Sequence, residues 1–254
     1  MKIILRKTSL VDYPGCVSSV FFFSGCNLRC PWCHNGDLVL DRENKALIPL
    51  EEGFAHLQKR HSVLGGVVLS GGEPCIQAGL PDIIAEIKKI ALSLGRTAFP
   101  VKLDTNGMFP AMLENLLNRE ETRPDYIALD LKLAPPRYSE ILPESGRVSG
   151  LSNMFDPGGA LLQSAALIRG SGLAHEYRTL ALPGGLVSEK DIEALASLAD
   201  EAPWYFRPFR SGNCLDPAWD NPEWDSGETR KQLKTMSEAL AAKARELGKT
   251  GKAH

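Results

Sequence analysis

The sequence predicts an α/β protein, folded as a partial (β/α)6 barrel of the TIM type with a C-terminal helical extension. Short apolar segments rich in β-branched and aromatic residues alternate with segments of helical periodicity, which is typical of parallel βαβ units. Polar and glycine motifs repeatedly follow the predicted strands, and barrel enzymes carry their sites on that carboxyl-terminal face. No internal repeat or low-complexity linker divides the chain. We therefore expect one barrel domain over residues 1–215, with residues 216–254 packed on it.

Six strands are predicted from apolar runs that stop at glycine or polar residues. The clearest is Val17–Phe23, whose sequence VSSVFFF contains no breaking residue and is followed by Ser24 and Gly25. The loop that follows therefore begins at the carboxyl end of this buried strand. The other five predicted strands are Val67–Leu69, Val101–Asp104, Tyr126–Leu131, Glu176–Leu182 and Trp204–Phe206.

Helices are predicted where apolar residues recur every three or four positions. In Leu80–Leu94, Ile83, Ile87 and Ile90 fall on one face. Ser188 is placed to cap the helix that begins at Glu189. The remaining predicted helices are Pro49–His61, Ala111–Asn118, Ala160–Arg169 and Glu189–Ala199.

The C-terminal part is predicted to be a polar turn over Asp216–Gly227 and an amphipathic helix. The apolar side of this helix packs on the barrel and carries Leu233, Met236, Leu240 and Leu247. The tail KTGKAH is expected to be disordered. The Pro-, Gly- and Ser-rich segment Ala134–Gly159 is expected to be a long loop.

Composition and charge exclude several classes of protein. The formal net charge of −2 gives no support to a nucleic-acid-binding surface, which would be strongly basic. No apolar run reaches the roughly 18 residues of a membrane span, and the N-terminus lacks the features of a signal peptide. Chains without export signals generally keep their thiols reduced. We therefore expect a cytoplasmic protein in which metal or redox chemistry, rather than disulfide formation, explains the cysteines, three of the six being scattered singly.

Three of the cysteines lie close together in the stretch CNLRCPWCH, at Cys26, Cys30 and Cys33. Thiolates are the usual ligands of iron–sulfur clusters, and a [4Fe–4S] cube takes four of them. Three thiolates leave one iron with an open position, which a cluster that binds a substrate or cofactor requires. The alternative is a zinc site in which Cys26, Cys30, Cys33 and His34 form a Cys3His set.

This cysteine spacing, directly after the apolar run VFFF, resembles the signature of the radical S-adenosylmethionine (radical SAM) superfamily. The resemblance implies that the open iron binds the amino and carboxylate groups of S-adenosylmethionine. It also implies that an electron from the reduced cluster breaks the sulfonium and yields a 5′-deoxyadenosyl radical, which abstracts a hydrogen atom.

A second motif, Ser70-Gly71-Gly72-Glu73-Pro74, follows a predicted strand about forty residues after the cysteines. A double glycine lets backbone come close to a ligand because no Cβ intervenes. Backbone carbonyls beside Glu73 would suit a bound ammonium group such as the α-amino group of S-adenosylmethionine. By itself the motif is also compatible with a plain tight turn, but it resembles the GGEP motif of radical SAM enzymes.

Charged residues end the next two predicted strands, at Asp104 and at Asp130-Leu131-Lys132. Adjacent parallel strands would bring these side chains to one face, although an Asp after a strand is often only a solvated turn residue. Lys132 is a natural partner for a carboxylate, and paired carboxylates could hold an amino group or a small cation. Arg178 is as compatible with a structural ion pair as with a cofactor contact.

Taken together, the motifs resemble the glycyl-radical-enzyme activases, most closely the activating proteins of anaerobic ribonucleoside-triphosphate reductase. The segments that carry this resemblance cover roughly residues 7–210. They are KTSLVDYPG, FSGCNLRCPWCHN, VLSGGEP, VKLDTNG, DYIALDLK and YRTLALPG. The resemblance implies that the deoxyadenosyl radical removes a hydrogen atom from one backbone glycine of the partner reductase. It also suggests flavodoxin or ferredoxin as the electron donor.

The resemblance assigns roles to individual residues. Cys26, Cys30 and Cys33 hold the [4Fe–4S] cluster. Trp32 and His34 lie beside the adenine of S-adenosylmethionine, and Gly71, Gly72 and Glu73 meet its methionyl end. Asp104, Asp130 and Lys132 position the cofactor. Asp12 matches a position close to the incoming glycine loop of the partner, although a plain turn residue explains it equally well.

Some features depart from the family pattern. Cys75 directly follows GGEP, and its thiol is a good hydrogen donor, so we expect it to point away from the radical. Cys16 and Cys214 have no assigned role, and the Ala134–Gly159 loop is longer than expected. The alternatives are an activase of another glycyl radical enzyme such as pyruvate formate-lyase, a small-molecule enzyme of the 7-carboxy-7-deazaguanine synthase type, and a zinc-binding scaffold without catalysis.

Overall fold

The computed structural model describes residues 1–40, 46–95, 99–144 and 156–253. These residues form a mixed α/β fold built on a largely parallel sheet. The described chain contains nine strands in the order β3-β1-β2-β4-β5-β6-β7-β8-β9. The order is linear, so the sheet is open and the predicted partial barrel is confirmed. The strands are β1 (Lys2–Tyr13), β2 (Cys16–Phe23), β3 (Leu47–Pro49), β4 (Gly66–Gly71), β5 (Val101–Thr105), β6 (Tyr126–Asp130), β7 (Ala174–Ala181), β8 (Pro203–Pro208) and β9 (Thr250–Ala253).

Helices lie between most of these strands, as the periodicity predicts. The described helices are α1 (Gly36–Val39), α2 (Leu50–Arg60), α3 (Leu80–Ser93), α4 (Pro110–Leu117), α5 (Pro157–Gly170), α6 (Glu189–Ala196) and α7 (Gly227–Glu246). Ser188 caps α6 as predicted, in a reciprocal capping box with Asp191. Within the parts of the chain that the structure describes, no helix combines the length and apolar character needed to cross a membrane.

The chain divides into two compact units. The first consists of Met1–Cys26, Asp37–Thr105 and Ala111–Ile127, and the second of Asn27–Gly36, Asn106–Pro110 and Ala128–His254. The division falls inside the cysteine stretch, so that Cys26 belongs to the first unit and Cys30 and Cys33 to the second.

In the first unit, β1 runs antiparallel to β2, whereas β2, β4 and β5 are parallel. The pairing places Val20 beside Val68 and Val68 beside Lys102. Alternate residues point to the opposite face of the sheet, where Phe21 packs against Phe54 of α2. The carboxyl ends of β2 and β4 finish together, because Phe23 pairs with Gly71.

In the second unit, β7, β8 and β9 are parallel. Trp204 and Phe206 of β8 are fully buried and their ring centroids lie 5.0 Å apart. The predicted apolar side of α7 is confirmed for Leu233 and Leu240, which are buried, whereas Leu247, just after the helix, is 36% exposed.

The expectation of a disordered tail is wrong for residues 249–253. Thr250–Ala253 form β9, which pairs with β8 in parallel register from Pro203 to Phe206. Lys249 donates to the carbonyl of Ala199, and a Cβ at Gly251 would overlap the carbonyl of Ala241 in α7. The polar composition of the tail conceals this strand, because its stability comes from pairing with β8 and from close packing on α7.

Two other segments differ from the prediction. β1, Lys2–Tyr13, is longer than the short apolar run of the sequence because it pairs with both β2 and β3. The turn expected around Pro14 and Gly15 is present and leads into β2. The predicted long loop begins with a 3₁₀ segment, Pro135–Ile141, and ends at α5, which starts at Pro157. Residues 145–155 of that loop lie outside the described residues.

Candidate active site

The start of the cysteine stretch is bound to the GGEP turn within the first unit. The backbone N–H of Gly72 donates to the carbonyl of Phe23 at 2.9 Å, and the N–H of Glu73 donates to that of Gly25 at 2.9 Å. The N–H of Gly25 donates to Leu38 at 2.7 Å. Phe23 and Gly25, which come just before Cys26, are therefore fixed by backbone hydrogen bonds to the GGEP turn, and Gly25 also by one to Leu38.

The double glycine is required by this close approach of two backbone segments. Gly71 has a φ of +127°, a conformation that favours glycine, and a Cβ there would overlap the backbone of Phe23. A Cβ on Gly72 would overlap the carbonyl of Gly25 and lie 3.3 Å from the Cβ of Cys26. The motif thus brings the GGEP turn into contact with the first cysteine.

Glu73 is directed into the protein and is only 1% exposed. Its Oε1 atom accepts hydrogen bonds from the N–H of Cys75 at 3.0 Å and from the hydroxyl of Thr105 at 2.8 Å. This carboxylate oxygen therefore fixes the shape of the GGEP turn, a role that the motif alone does not reveal.

The Cys75 thiol is buried beside this carboxylate. Its Sγ lies 3.6 Å from the Thr105 hydroxyl. Burial and the negative charge of Glu73 raise the pKa of Cys75 well above its ordinary value. The thiol is therefore held in its neutral form within the first unit.

Asp104 lies one residue before the end of β5 and contacts polar side chains of the first unit. Its Oδ2 accepts from the hydroxyl of Ser70 at 3.0 Å, and its Oδ1 lies 3.1 Å from Nζ of Lys102. The Lys102 ammonium also donates to the backbone carbonyl of Asp12 at 2.8 Å. Lys102 is not among the site residues that the sequence predicted, although a lysine between the apolar residues Val101 and Leu103 is a recognisable signal.

Asp12 lies near the end of β1, and its side chain is partly exposed. Its Oδ2 lies 3.2 Å from Nη1 of Arg6. The backbone N–H of Asp12 donates to the hydroxyl of Ser9 at 3.3 Å. The turn position that the sequence singled out is therefore an ordered strand end with a cationic neighbour.

The rest of the cysteine stretch is held within the second unit. The N–H of Cys33 donates to the carbonyl of Cys30 at 3.0 Å and closes a tight turn. Leu215 donates to the carbonyl of Cys33, Asp216 to that of Pro31, and Arg29 to that of Ile141. Asn106 of the DTNG motif donates to the side-chain oxygen of Asn27 at 2.9 Å. These distant anchors could not be read from the spacing of the cysteines.

Trp32 and His34 contact aromatic side chains of their own unit. Trp32 is buried, with its ring centroid 5.4 Å from that of Trp219. The ring of His34 stacks on Phe209 at 5.6 Å, and its Nε2 lies 2.5 Å from the carbonyl oxygen of Arg210. This nitrogen is therefore the donor of a hydrogen bond to backbone.

Cys214, which had no assigned role, lies beside the cysteine stretch in the second unit. Burial, together with a hydrogen bond to Asp220 and the neighbouring charge of Asp220, raises the pKa of Cys214 to about 12, and Cys33 adds to the effect. Its backbone N–H donates to Asp220 at 2.8 Å. Cys214 is therefore a neutral packing residue next to the stretch.

Asp130, Lys132 and Arg178 form one ion cluster in the second unit. Nε of Arg178 donates to Oδ1 of Asp130 at 2.7 Å, and Nζ of Lys132 donates to Oδ2 at 2.9 Å. Burial alone would raise the pKa of Asp130, but the two cations more than offset it and hold the pKa below the ordinary range. For Lys132, burial acts to lower the pKa, whereas Asp130 and then Cys30 raise it above its usual value.

Asp104 and Asp130, which the sequence placed on one face, fall in different units, and each carboxylate has a cation of its own. Asp104 has Lys102, and Asp130 has Lys132 and Arg178. The structure brings Lys132 and Arg178 together on Asp130, so the ion pair that the sequence left open for Arg178 is present.

The donor atoms of the cysteine stretch match an iron–sulfur cluster. Cys26, Cys30 and Cys33 are not joined in disulfides, and soft thiolates are the ligands of such clusters, with one cysteine for each ligated iron. Among the residues that the structure describes, no three His, Cys, Asp or Glu side chains are close enough to bind a single metal ion. The fit therefore rests on the chemistry of the three thiols.

Comparison with known sequences identifies one family. Residues 20–199 match the model of the radical SAM superfamily. The chain is 32% identical over 197 residues to a putative glycyl-radical enzyme activating enzyme of Methanocaldococcus jannaschii, which covers 78% of this chain and 74% of the relative. It is also 33% identical over 132 residues to the pyruvate formate-lyase-activating enzyme of Clostridium pasteurianum, with 50% of each chain covered.

Solved structures share the fold. SuiB from Streptococcus suis bound to S-adenosylmethionine aligns with a TM-score of 0.57 at 14% identity, covering 92% of this chain and 51% of SuiB. anSMEcpe with bound AdoMet aligns with a TM-score of 0.59 at 14% identity, covering 91% of this chain and 61% of that protein. The chain thus spans about half the length of SuiB and of the clostridial enzyme.

Proposed function

The chain belongs to the radical SAM superfamily, and on that basis we propose that it activates a glycyl radical enzyme, anaerobic ribonucleoside-triphosphate reductase. Its cofactors are a [4Fe–4S] cluster and S-adenosylmethionine. When bound, this pair supplies a carbon radical able to remove a hydrogen atom from an unactivated C–H bond. In the proposed reaction that hydrogen comes from one backbone glycine of the reductase.

The observation that carries the proposal is the arrangement around the first cysteine. Three thiols follow β2 in the order Cys26, Cys30 and Cys33, and the backbone before Cys26 is bonded to the GGEP turn. Homology over most of its length to a putative glycyl-radical enzyme activating enzyme supports the class of protein substrate.

The chain's own residues have separate tasks in this proposal. The three thiolates ligate the cluster, and the GGEP turn, shaped by Glu73, presents backbone to the methionyl end of the cofactor. The ion cluster of Asp130, Lys132 and Arg178 keeps Lys132 positively charged beside Cys30. This positive charge favours negatively charged groups bound nearby. Trp32 and His34 lie beside the adenine, and Asp104 and Arg178 help to position the cofactor.

The hydrogen abstraction also requires that water and competing donors be kept away from the radical. In the proposal the glycine loop of the partner closes the site, and Asp12 lies near that loop. The buried, neutral Cys75 thiol is withdrawn into the first unit. In the proposal a flavodoxin or ferredoxin supplies the electron, and the reaction takes place in the cytoplasm.

Pyruvate formate-lyase is the second candidate partner. The relative from Clostridium pasteurianum and that from Escherichia coli K12, at 33% identity over 132 and 129 residues, are pyruvate formate-lyase-activating enzymes. The motifs of the whole chain, taken together, resemble the reductase-activating proteins most closely, whereas DYPG, LDTNG and DLK by themselves indicate only the activase branch. The two partners are therefore compared directly in the experiment.

The test uses the chain reconstituted anaerobically with iron and sulfide and then reduced. With S-adenosylmethionine alone it should form 5′-deoxyadenosine, and with the reductase it should produce a glycyl radical doublet in electron paramagnetic resonance. Cys26→Ala, Cys30→Ala and Cys33→Ala should each abolish both signals, whereas the control Cys16→Ala retains them. A glycyl radical doublet on pyruvate formate-lyase but not on the reductase would show that pyruvate formate-lyase is the partner and the reductase is not. Stoichiometric zinc in a colourless protein would overturn the proposal.

A further inference from the structure

Lys102 is a buried cation in the first unit that the proposed roles do not include. Its side chain is only 3% exposed, and its neighbours in β5, Val101 and Leu103, are fully buried apolar residues. A buried ammonium is costly unless charged and polar groups compensate it. The groups that contact Lys102 therefore show which parts of the chain its buried charge holds together.

The Lys102 ammonium connects two chain segments that are far apart in sequence. It donates to the backbone carbonyl of Asp12 at the end of β1 (2.8 Å) and pairs with the carboxylate of Asp104 at the end of β5 (3.1 Å). It also lies 5.7 Å from the centre of the Tyr126 ring. One positive charge thus holds the end of β1 at a defined distance from Asp104.

The strand end held by Lys102 is also exposed in a way that suits protein binding. Leu10 and Val11, directly before Asp12, are 74% and 79% exposed. Asp12 itself has a second cationic neighbour, since Arg6 lies 3.2 Å from its carboxylate. We call residues 10–12 the β1 tip. It combines two exposed apolar side chains with an acidic one and a backbone carbonyl anchored from within.

We infer that Lys102 is a positioning residue that fixes the β1 tip relative to Asp104, and that it thereby holds Asp12 in place for the contact that the proposed function gives it with the partner's glycine loop. The inference rests on the proposed function. Lys102 acts through Asp12 and Asp104 and does not itself touch the substrate. Because an ordered tip costs less conformational entropy on binding than a mobile one, loss of the charge should weaken partner binding.

The test compares Lys102→Met, which keeps the length of the side chain without its charge, with Lys102→Arg and with the control Lys89→Met. Lys89 is an exposed lysine of α3. Hydrogen–deuterium exchange of the apoprotein reports on the β1 tip without any cofactor. We expect the amides of residues 10–13 to exchange faster by about tenfold in Lys102→Met, by less in Lys102→Arg, and not at all in the control.

Partner binding provides the second readout. With the reductase as the protein substrate, Lys102→Met should raise KM for the reductase by about tenfold, with a smaller change in kcat. A purely structural role would instead lower the amount of active enzyme and leave KM unchanged. Unchanged exchange at the β1 tip together with an unchanged KM would overturn the inference.

A second variant and the exchange measurement allow the inference to be tested even if Lys102→Met or the proposed function fails. Should Lys102→Met fail to fold, Lys102→Gln is measured in the same way, because its amide is neutral yet still polar. Should the wild-type chain generate no radical on the reductase, the proposed function fails, and exchange at the β1 tip still decides whether Lys102 fixes that tip.

Discussion

Arg178 donates a hydrogen bond from Nε to Oδ1 of Asp130 across 2.7 Å, while Lys132 occupies the other carboxylate oxygen at 2.9 Å. One carboxylate therefore orients two cations of the second unit, one from within β7 and one that follows β6. The hydroxyl of Tyr138 extends the cluster, because it accepts from the N–H of Lys132 at 3.0 Å.

Removal of Arg178 should destabilise the second unit. Arg178→Met leaves a partly buried carboxylate with one cation fewer, and we expect the free energy of unfolding at pH 7 to fall by about 2 kcal/mol, the scale of a hydrogen bond to a charged group. Urea denaturation measures it. Arg178→Lys should lose part of this amount because a lysine cannot reproduce the Nε geometry. An exposed control, Arg119→Met, should have little effect, and an equal loss there would contradict the assignment.

A methyl group on Gly72 should displace the first cysteine. Since a Cβ there would overlap the carbonyl of Gly25, Gly72→Ala should cost about 1–3 kcal/mol of stability and lower the iron bound after reconstitution. Gly170→Ala is the matched control, because a Cβ at Gly170 meets no atom within 4 Å. Iron content equal to the control would show that the GGEP turn does not hold the start of the cysteine stretch.

The thiol of Cys75 should be unreactive in the folded protein. Burial and Glu73 raise its pKa, and because only the thiolate is nucleophilic, alkylation at pH 8 should be slower by more than about tenfold than in urea. Peptide mass spectrometry after iodoacetamide treatment measures the rate at each cysteine. Fast native modification of Cys75 would mean that the thiol is accessible and ionised.

Asp191 should contribute stability that depends on pH. Burial would raise its pKa, but hydrogen bonds from Ser188, Ala134 and Arg137 lower it below the ordinary value. A lowered folded-state pKa means that the contribution is present above the unfolded pKa of about 3.9 and is lost as pH falls through the lower folded value. Asp191→Asn should therefore lose about 3 kcal/mol at pH 7, with a smaller difference from wild type in strong acid.

The measurement is urea denaturation of both proteins from neutral to acidic pH. Glu201→Gln, an exposed carboxylate of the same unit, serves as the control and should change little at any pH. A difference between wild type and Asp191→Asn that stays constant with pH would show that the charge of Asp191 is not responsible.

Local sequence was sufficient for the elements whose signals are short-range. The β-branched run before Cys26, the isoleucine stripe of α3 and the Ser188 cap each depend on residues a few positions apart. Their predicted bounds agree with the structure to within a few residues. The spacing of the three cysteines likewise sufficed to indicate the superfamily, because ligands of one cluster can lie within a single loop.

The tertiary structure decided what depends on distant parts of the chain. The polar tail becomes β9 only because β8 offers an edge and α7 a surface. Arg178 pairs with Asp130 and Lys102 reaches Asp12 only because separate segments are folded together. The sequence by itself determined the chemistry of the site, since thiols, carboxylates and glycines are fixed in type and local spacing. Which of these groups neutralise one another was decided by packing between residues far apart in the chain, and local periodicity carries no information about it.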